Sequence, residues 1–167
     1  MRAPSRRMPK DIAEPISWRD VAVLAGIIPF LMYAGVHFWP WSLLFPIIIV
    51  VMTVFHRRRD RRTAETRRGE SICTFARSFD CRTVDTWIVR ATYDELSYAF
   101  PVRASDRFQQ DLRFADEDLD DSGGSIARRC GRSMARCEEN PFYEKVHTVR
   151  DLVMFLNRQP LVAPMGN

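Results

Sequence analysis

The sequence predicts an all-α protein built from an N-terminal two-helix transmembrane hairpin followed by a small helical bundle. Three observations carry this. An apolar run at residues 21–55 lacks charge, an apolar stripe with helical spacing begins near Thr83, and a helix-start signature stands at Thr148. The chain divides by composition into a cytoplasmic N-terminal segment (1–20), the hairpin (21–55), an Arg-rich juxtamembrane linker (56–69), a helical domain (70–160) and a flexible tail (161–167).

Val21 to Phe55 contains no Asp, Glu, Lys or Arg over 35 residues, well beyond the roughly 18 to 20 that cross a bilayer. As one helix it would be about 52 Å long, against a hydrocarbon core of roughly 30 Å. The run also breaks at Trp39-Pro40-Trp41. Tryptophan favours the lipid–water interface, and proline disfavours helix in the residue before it. Helices at Trp18–Phe38 and Trp41–Phe55 are therefore expected, with a single tilted crossing or a re-entrant loop as alternatives. Arg2, Arg6, Arg7 and Lys10 precede the first helix, and Arg57, Arg58, Arg59, Arg61 and Arg62 follow the second, while the central turn has no Lys or Arg. The positive-inside rule then places both termini in the cytoplasm. The same five arginines are candidates for contact with anionic lipid headgroups, beside their role in setting topology. A cleaved signal peptide is not expected, because no A-x-A type site follows the run. His37 reads as a polar residue of the outer turn.

The net charge of +4 belongs to the tether. Residues 69–167 hold 13 bases and 16 acids, so the domain lacks the positive surface that general nucleic-acid binding needs. Cys73, Cys81, Cys130 and Cys137 fit no common zinc spacing. Reduced thiols packed as small hydrophobes are expected, with disulfides or a four-thiolate site as alternatives.

Within the domain, Thr83–Ala99 carries Val84, Trp87, Ile88, Ala91 and Leu96 at near i, i+3, i+4, i+7 spacing, with Asp80 or Thr83 as N-cap. Phe100-Pro101 ends it. A long connection follows, in which Phe108 and Leu112 are spaced to reach a core. A second helix is expected at Leu119–Cys130 with Ile126, Ala127 and Cys130 on one face, weakened by Gly123 and Gly124. Asn140-Pro141-Phe142-Tyr143 reads as a turn or short helix. Thr148-Val149-Arg150-Asp151 has the capping-box form and opens a last helix with Val149, Leu152, Val153 and Leu156, ending near Pro160.

Short helices with a long connection after the first, the segment Ser105-Asp106-Arg107-Phe108-Gln109-Gln110-Asp111-Leu112, and the stretch Val146-His147-Thr148-Val149-Arg150-Asp151-Leu152 together resemble acyl carrier proteins over about Thr83 to Gln159. The resemblance implies a small helical bundle and partner recognition along the second helix. The sequence departs from the family where the phosphopantetheine serine belongs: Ala115-Asp116-Glu117-Asp118-Leu119 places Glu117 or Asp118 there. The likeness is thus to divergent carrier-like proteins without the attachment serine, and no cofactor is expected. Ser122 and Ser125, farther along, are the alternative attachment points.

The acidic cluster Asp116, Glu117, Asp118, Asp120 and Asp121 has two main readings. Carboxylates complement the positive end of a helix macrodipole, and the cluster is also a candidate recognition face for a basic protein partner. A calcium loop is the third reading, although the EF-hand Gly and Glu are missing. Arg128, Arg129, Arg132 and Arg136 read as a solvated face pairing locally with acids, and His147 as a buried or capping residue. No G-x-S-x-G elbow, phosphate loop or H-E-x-x-H motif occurs, so no catalytic or metal site is assigned. The expected function is that of a non-enzymatic interaction module at the membrane. A phosphopantetheine-bearing carrier and a small structural subunit of a membrane complex are the alternatives.

Overall fold

The computed structural model describes residues 4–8, 33, 44–97 and 99–162. Apart from Tyr33, the helix expected at Trp18–Phe38, the turn around Pro40 and the start of the second membrane helix lie outside the described residues. All regular elements among the described residues are helical, and none forms a strand. The chain divides into two compact units, residues 12–63 and residues 1–11 with 64–167.

The described part of the 12–63 unit is dominated by helix α1, Leu44–Thr66, which continues past its apolar half through the arginines. Side chains from Ile47 to Val51, with Met52, Val54 and Phe55, are all largely exposed. Nine consecutive positions cover every face of a helix with 3.6 residues per turn, so this stretch is apolar all round. No helix among the described residues is long and apolar enough to cross a membrane. Arg57, Arg58, Arg61 and Arg62 are exposed and Arg59 is half-buried.

The other unit is a four-helix domain. Helix α2 (Ile72–Ala76), whose Ser71 hydroxyl accepts from the Cys73 N–H, carries Phe75. This ring lies 5.1 Å from Phe79 and 5.4 Å from Tyr93. Helix α3 spans Thr86–Leu96, starting later than the sequence pattern suggests. The reason is local: Asp80 holds a turn by accepting from the Arg82 N–H, and Asp85, not Asp80 or Thr83, caps the helix through the Trp87 N–H at 2.9 Å. Val84, Ile88, Ala91 and Leu96 are buried as their spacing requires, while Trp87 is half-buried.

Helix α4 (Asp116–Cys130) begins three residues before the expected Leu119, so part of the acidic cluster forms its first turn. The Asp118 carboxylate reaches back to the Ala115 N–H at 3.1 Å, and the acids there complement the helix dipole. At the other end Gly131 takes the left-handed conformation (φ 65°), which lets the Arg132 N–H close on the Ala127 carbonyl at 2.8 Å. Helix α5 (Val149–Arg158) opens with the predicted capping box: the Thr148 hydroxyl accepts from the Asp151 N–H, and the Asp151 carboxylate accepts from the Thr148 N–H at 2.9 Å. Its Val149, Leu152, Val153 and Leu156 are all buried.

Helix α3 is the centre of the bundle and packs against α2, α4 and α5. A 3₁₀ turn at Ser5–Arg7 also rests on it, and Met8 packs against the core. The connection after α3 is not a plain loop. Phe108–Leu112 forms a π-helical turn that buries Phe108 and half-buries Leu112, and the Phe108 N–H bonds to the His147 carbonyl just ahead of α5. Leu161 and Val162, assigned to the tail by sequence, are tied to the turn after α4 through the Val162 N–H to Gly131 carbonyl bond.

A buried ion pair fastens the end of the Arg-rich stretch to this domain. Both Arg67 and Asp106 are almost wholly buried. The guanidinium donates to both carboxylate oxygens, donates to the Pro101 carbonyl at 2.9 Å and stacks over the Phe100 ring at 5.1 Å. Asp106 also accepts from the Arg103 N–H at 2.8 Å. Removing one member leaves the other charged and uncompensated, which costs about 3–5 kcal/mol. Arg67→Ala is therefore expected to lower the urea midpoint of the domain severely. Exposed Arg68→Ala should leave it nearly unchanged.

Beside it, the more exposed Arg103 side chain bonds to Glu70, with Nε 3.0 Å from Oε2. The hydrogen bond from Arg103 holds the Glu70 carboxyl below its ordinary value of 4.5, against a smaller opposing effect of desolvation. A depressed folded-state value stabilises above the unfolded value and is lost as pH falls through the folded one. The stability advantage of the wild type over Glu70→Gln should thus be full at about pH 6 and be lost as pH falls through the lowered folded-state value, and its size should be at most about 1 kcal/mol for so exposed a pair.

Candidate functional site

The first half of α4, the first turns of α5, the π-helical turn and residues 134–147 enclose a groove of about 900 Å³. Its floor is apolar. Phe108 and Phe114 come from the π-helical segment, their rings 5.9 Å apart, and meet Leu119 of α4 and Leu152 and Phe155 of α5. The positions follow from local rules. Phe114 is turned inward by Arg113, whose φ of 59° lets the Phe114 N–H bond to the Phe108 carbonyl at 2.9 Å. The opposite wall is held by Asn140, whose amide donates to the Phe155 carbonyl at 2.9 Å while its oxygen accepts from the Phe142 N–H.

The acidic cluster lies along one edge of this groove. Asp116, Glu117, Asp118, Asp120 and Asp121 are all exposed, and Asp116 and Asp120, one helical turn apart, line the opening itself. Among the described residues none of the five is in an ion pair with a base. Asp118 is occupied by the cap, and Asp116 accepts a long bond of 3.4 Å from Gln109. For the calcium reading, the helix turns Asp118 away from the face that Asp116 and Asp120 share, and among the described residues no group of three or more His, Cys, Asp or Glu is placed to hold a metal ion.

Ser122 is half-buried in the second turn of α4, and Ser125 is buried at 7% exposure. A hydroxyl in the latter position is closed to a transferring enzyme. Glu117 and Asp118 are in the first turn and open to solvent.

Two of the four C-terminal arginines depart from the expected solvated face. The Arg129 side chain is only 8% exposed and reaches Asp94 and Glu95 of α3. Arg132 bonds to Asp85 at 3.0 Å and to the Gln159 carbonyl at 2.8 Å, joining the start of α3 to the end of α5. These partners are distant in sequence, so no local pattern marks them. Arg128 is exposed, and Arg136 alone pairs locally, with Glu139. His147 is exposed, not buried. It serves the α5 cap through its backbone N–H, which donates to Asp151.

The cysteines also divide. Cys130 is packed as a small hydrophobe, whereas Cys73 and Cys81 are exposed, and all four are thiols. Cys137 lines the groove. Burial, with the neighbouring charges of Glu138 and Asp120, pushes its thiol above the ordinary value of 9.0. Only the thiolate reacts appreciably with iodoacetamide. At about pH 8, alkylation read by peptide mass should therefore modify Cys73 and Cys81 first, Cys137 later and Cys130 only on unfolding. Asp120→Asn should speed Cys137 alone.

No family model, curated protein or solved structure gives a match to this chain.

Proposed function

We propose that this chain is a membrane-anchored, non-enzymatic protein-interaction module with an acyl-carrier-like domain on the cytoplasmic side. The observation that carries the reading is the apolar surface of α1. Ile47–Phe55 is exposed around the full circumference of the helix and runs without a break into Arg57, Arg58, Arg59, Arg61 and Arg62. A stretch hydrophobic on every side is stable where lipid or protein covers it, and arginines directly behind it suit anionic headgroups. Met8 gives independent support for a hairpin. It packs against the core of the domain that resumes at residue 64, so the intervening run leaves and rejoins one body, which requires an even number of crossings.

For the domain, the helix order, the long structured connection and the Thr148 capping box support the carrier-like reading. The unneutralised acidic edge of α4 beside an apolar groove supports recognition of a basic partner. The buried state of Ser125 weighs against a phosphopantetheine carrier there, which leaves Ser122 as the position that reading would need.

The test uses the full-length chain tagged after Asn167. It should sediment with membranes and resist extraction at high pH, and the tag should be cleaved by protease only after cells are opened. Incubation with a phosphopantetheinyl transferase and coenzyme A should leave its intact mass unchanged. A tag accessible from outside overturns the topology. A mass gain of one arm overturns the non-carrier assignment.

A further inference from the structure

We propose that the groove beside α4 receives one or two bulky apolar side chains of a cationic amphipathic helix in a partner protein. This deepens the interaction-module reading and rests on it. Three features of the groove argue for this occupant.

The first is size. About 900 Å³ is at the upper end of what small-molecule pockets enclose. That space admits large side chains from a helix lying across the opening, the mode in which an amphipathic helix presents its apolar face to a groove.

The second is Gly123, in the interior of α4 at the groove wall. A Cβ there would meet the Leu152 Cδ1 at 3.8 Å, an ordinary contact. Packing within the domain therefore does not demand glycine, although a glycine inside a helix is less stable than alanine. What its missing side chain does provide is open volume in the groove beside Leu152 of α5.

The third is charge. Asp116 and Asp120 stand one helical turn apart on one edge, and Glu144 stands among the residues of the opposite wall. The bases that also line the groove are few: the Arg107 guanidinium is engaged by Gln110 at 3.1 Å, and His147 is exposed. Two carboxylates at this spacing match two Lys or Arg side chains one turn apart on a facing helix. A fatty-acid carboxylate would meet like charge at the same edge, so an anionic lipid is the poorer fit.

The probe is a fluorescein-labelled peptide of roughly 14 residues, built from Leu and Lys with helical spacing. It is titrated against the full-length chain in a neutral detergent at low salt, and anisotropy is read. Saturable binding is expected, weakening steeply with added salt. Filling the groove with Gly123→Phe should weaken it by about tenfold or more. The double change Asp116→Asn with Asp120→Asn touches only exposed side chains, and it should weaken binding and flatten the salt dependence while the far-UV circular dichroism stays that of the wild type. The proposal is overturned if the wild type does not bind, if a Leu/Glu peptide binds equally well, if laurate displaces the peptide, or if both variants bind like the wild type. Membrane sedimentation and intact mass are independent of all these results, so failure here is distinct from failure of the anchoring or non-carrier assignments.

Discussion

The domain depends on the buried contact between Arg67 and Asp106. Isolated charges are strongly disfavoured in a protein interior, and this pair is tolerated because both terminal guanidinium nitrogens and both carboxylate oxygens are used. The guanidinium is shared among a carboxylate, a carbonyl and an aromatic face, and the carboxylate also gathers the Arg103 N–H. The Asp106 carbonyl meanwhile accepts from the Val149 N–H at 3.0 Å, in the first turn of α5. One residue pair thus fixes where the Arg-rich stretch ends, how the connection after α3 is folded and where the last helix starts. The groove inherits its shape from the same point, because Phe108 lies two residues beyond Asp106.

Charge in this chain is separated by role. The exposed arginines of α1 face outward, and the paired arginines of the domain act as internal fasteners: Arg67 to Asp106, Arg132 to Asp85, Arg129 to Asp94 and Glu95. Arg150 belongs with them, lying over the Phe79 ring at 5.4 Å while bonding to the Ser78 carbonyl. Arginine suits these positions because its planar fork satisfies several acceptors at once and stacks on an aromatic face. None of these arginines is paired with the acids of α4.

Structure set by neighbouring residues is legible in this sequence, and structure set by distant partners is not. The Thr148 capping box and the apolar positions of α3, α4 and α5 are properties of a few adjacent residues, and each appears where its spacing places it. The start of α3 is not legible locally, because Asp80, Thr83 and Asp85 are all competent caps and Asn157 braces the Asp85 position, bonding to the Asp85 N–H and the Thr83 carbonyl from 72 and 74 residues away. Arg67 reads as part of a basic linker in the sequence, since seven arginines in twelve residues conceal the one that turns inward. Phe75 and Phe79 sit in a stretch too short and too interrupted to show a period. Of the candidate site, the acidic edge was visible as a cluster. The groove beneath it was not, because its floor is assembled from three separate segments.

The Met8 contact has a consequence in time. A chain is made from its N-terminus onward, so residues 4–8 leave the ribosome long before Thr86–Leu96, the helix on which their 3₁₀ turn rests. Residues 4–8 therefore wait without the helix they rest on until the chain has been made through residue 96. Synthesis order thus makes this contact a late one: the 3₁₀ turn can dock only after α3 has emerged.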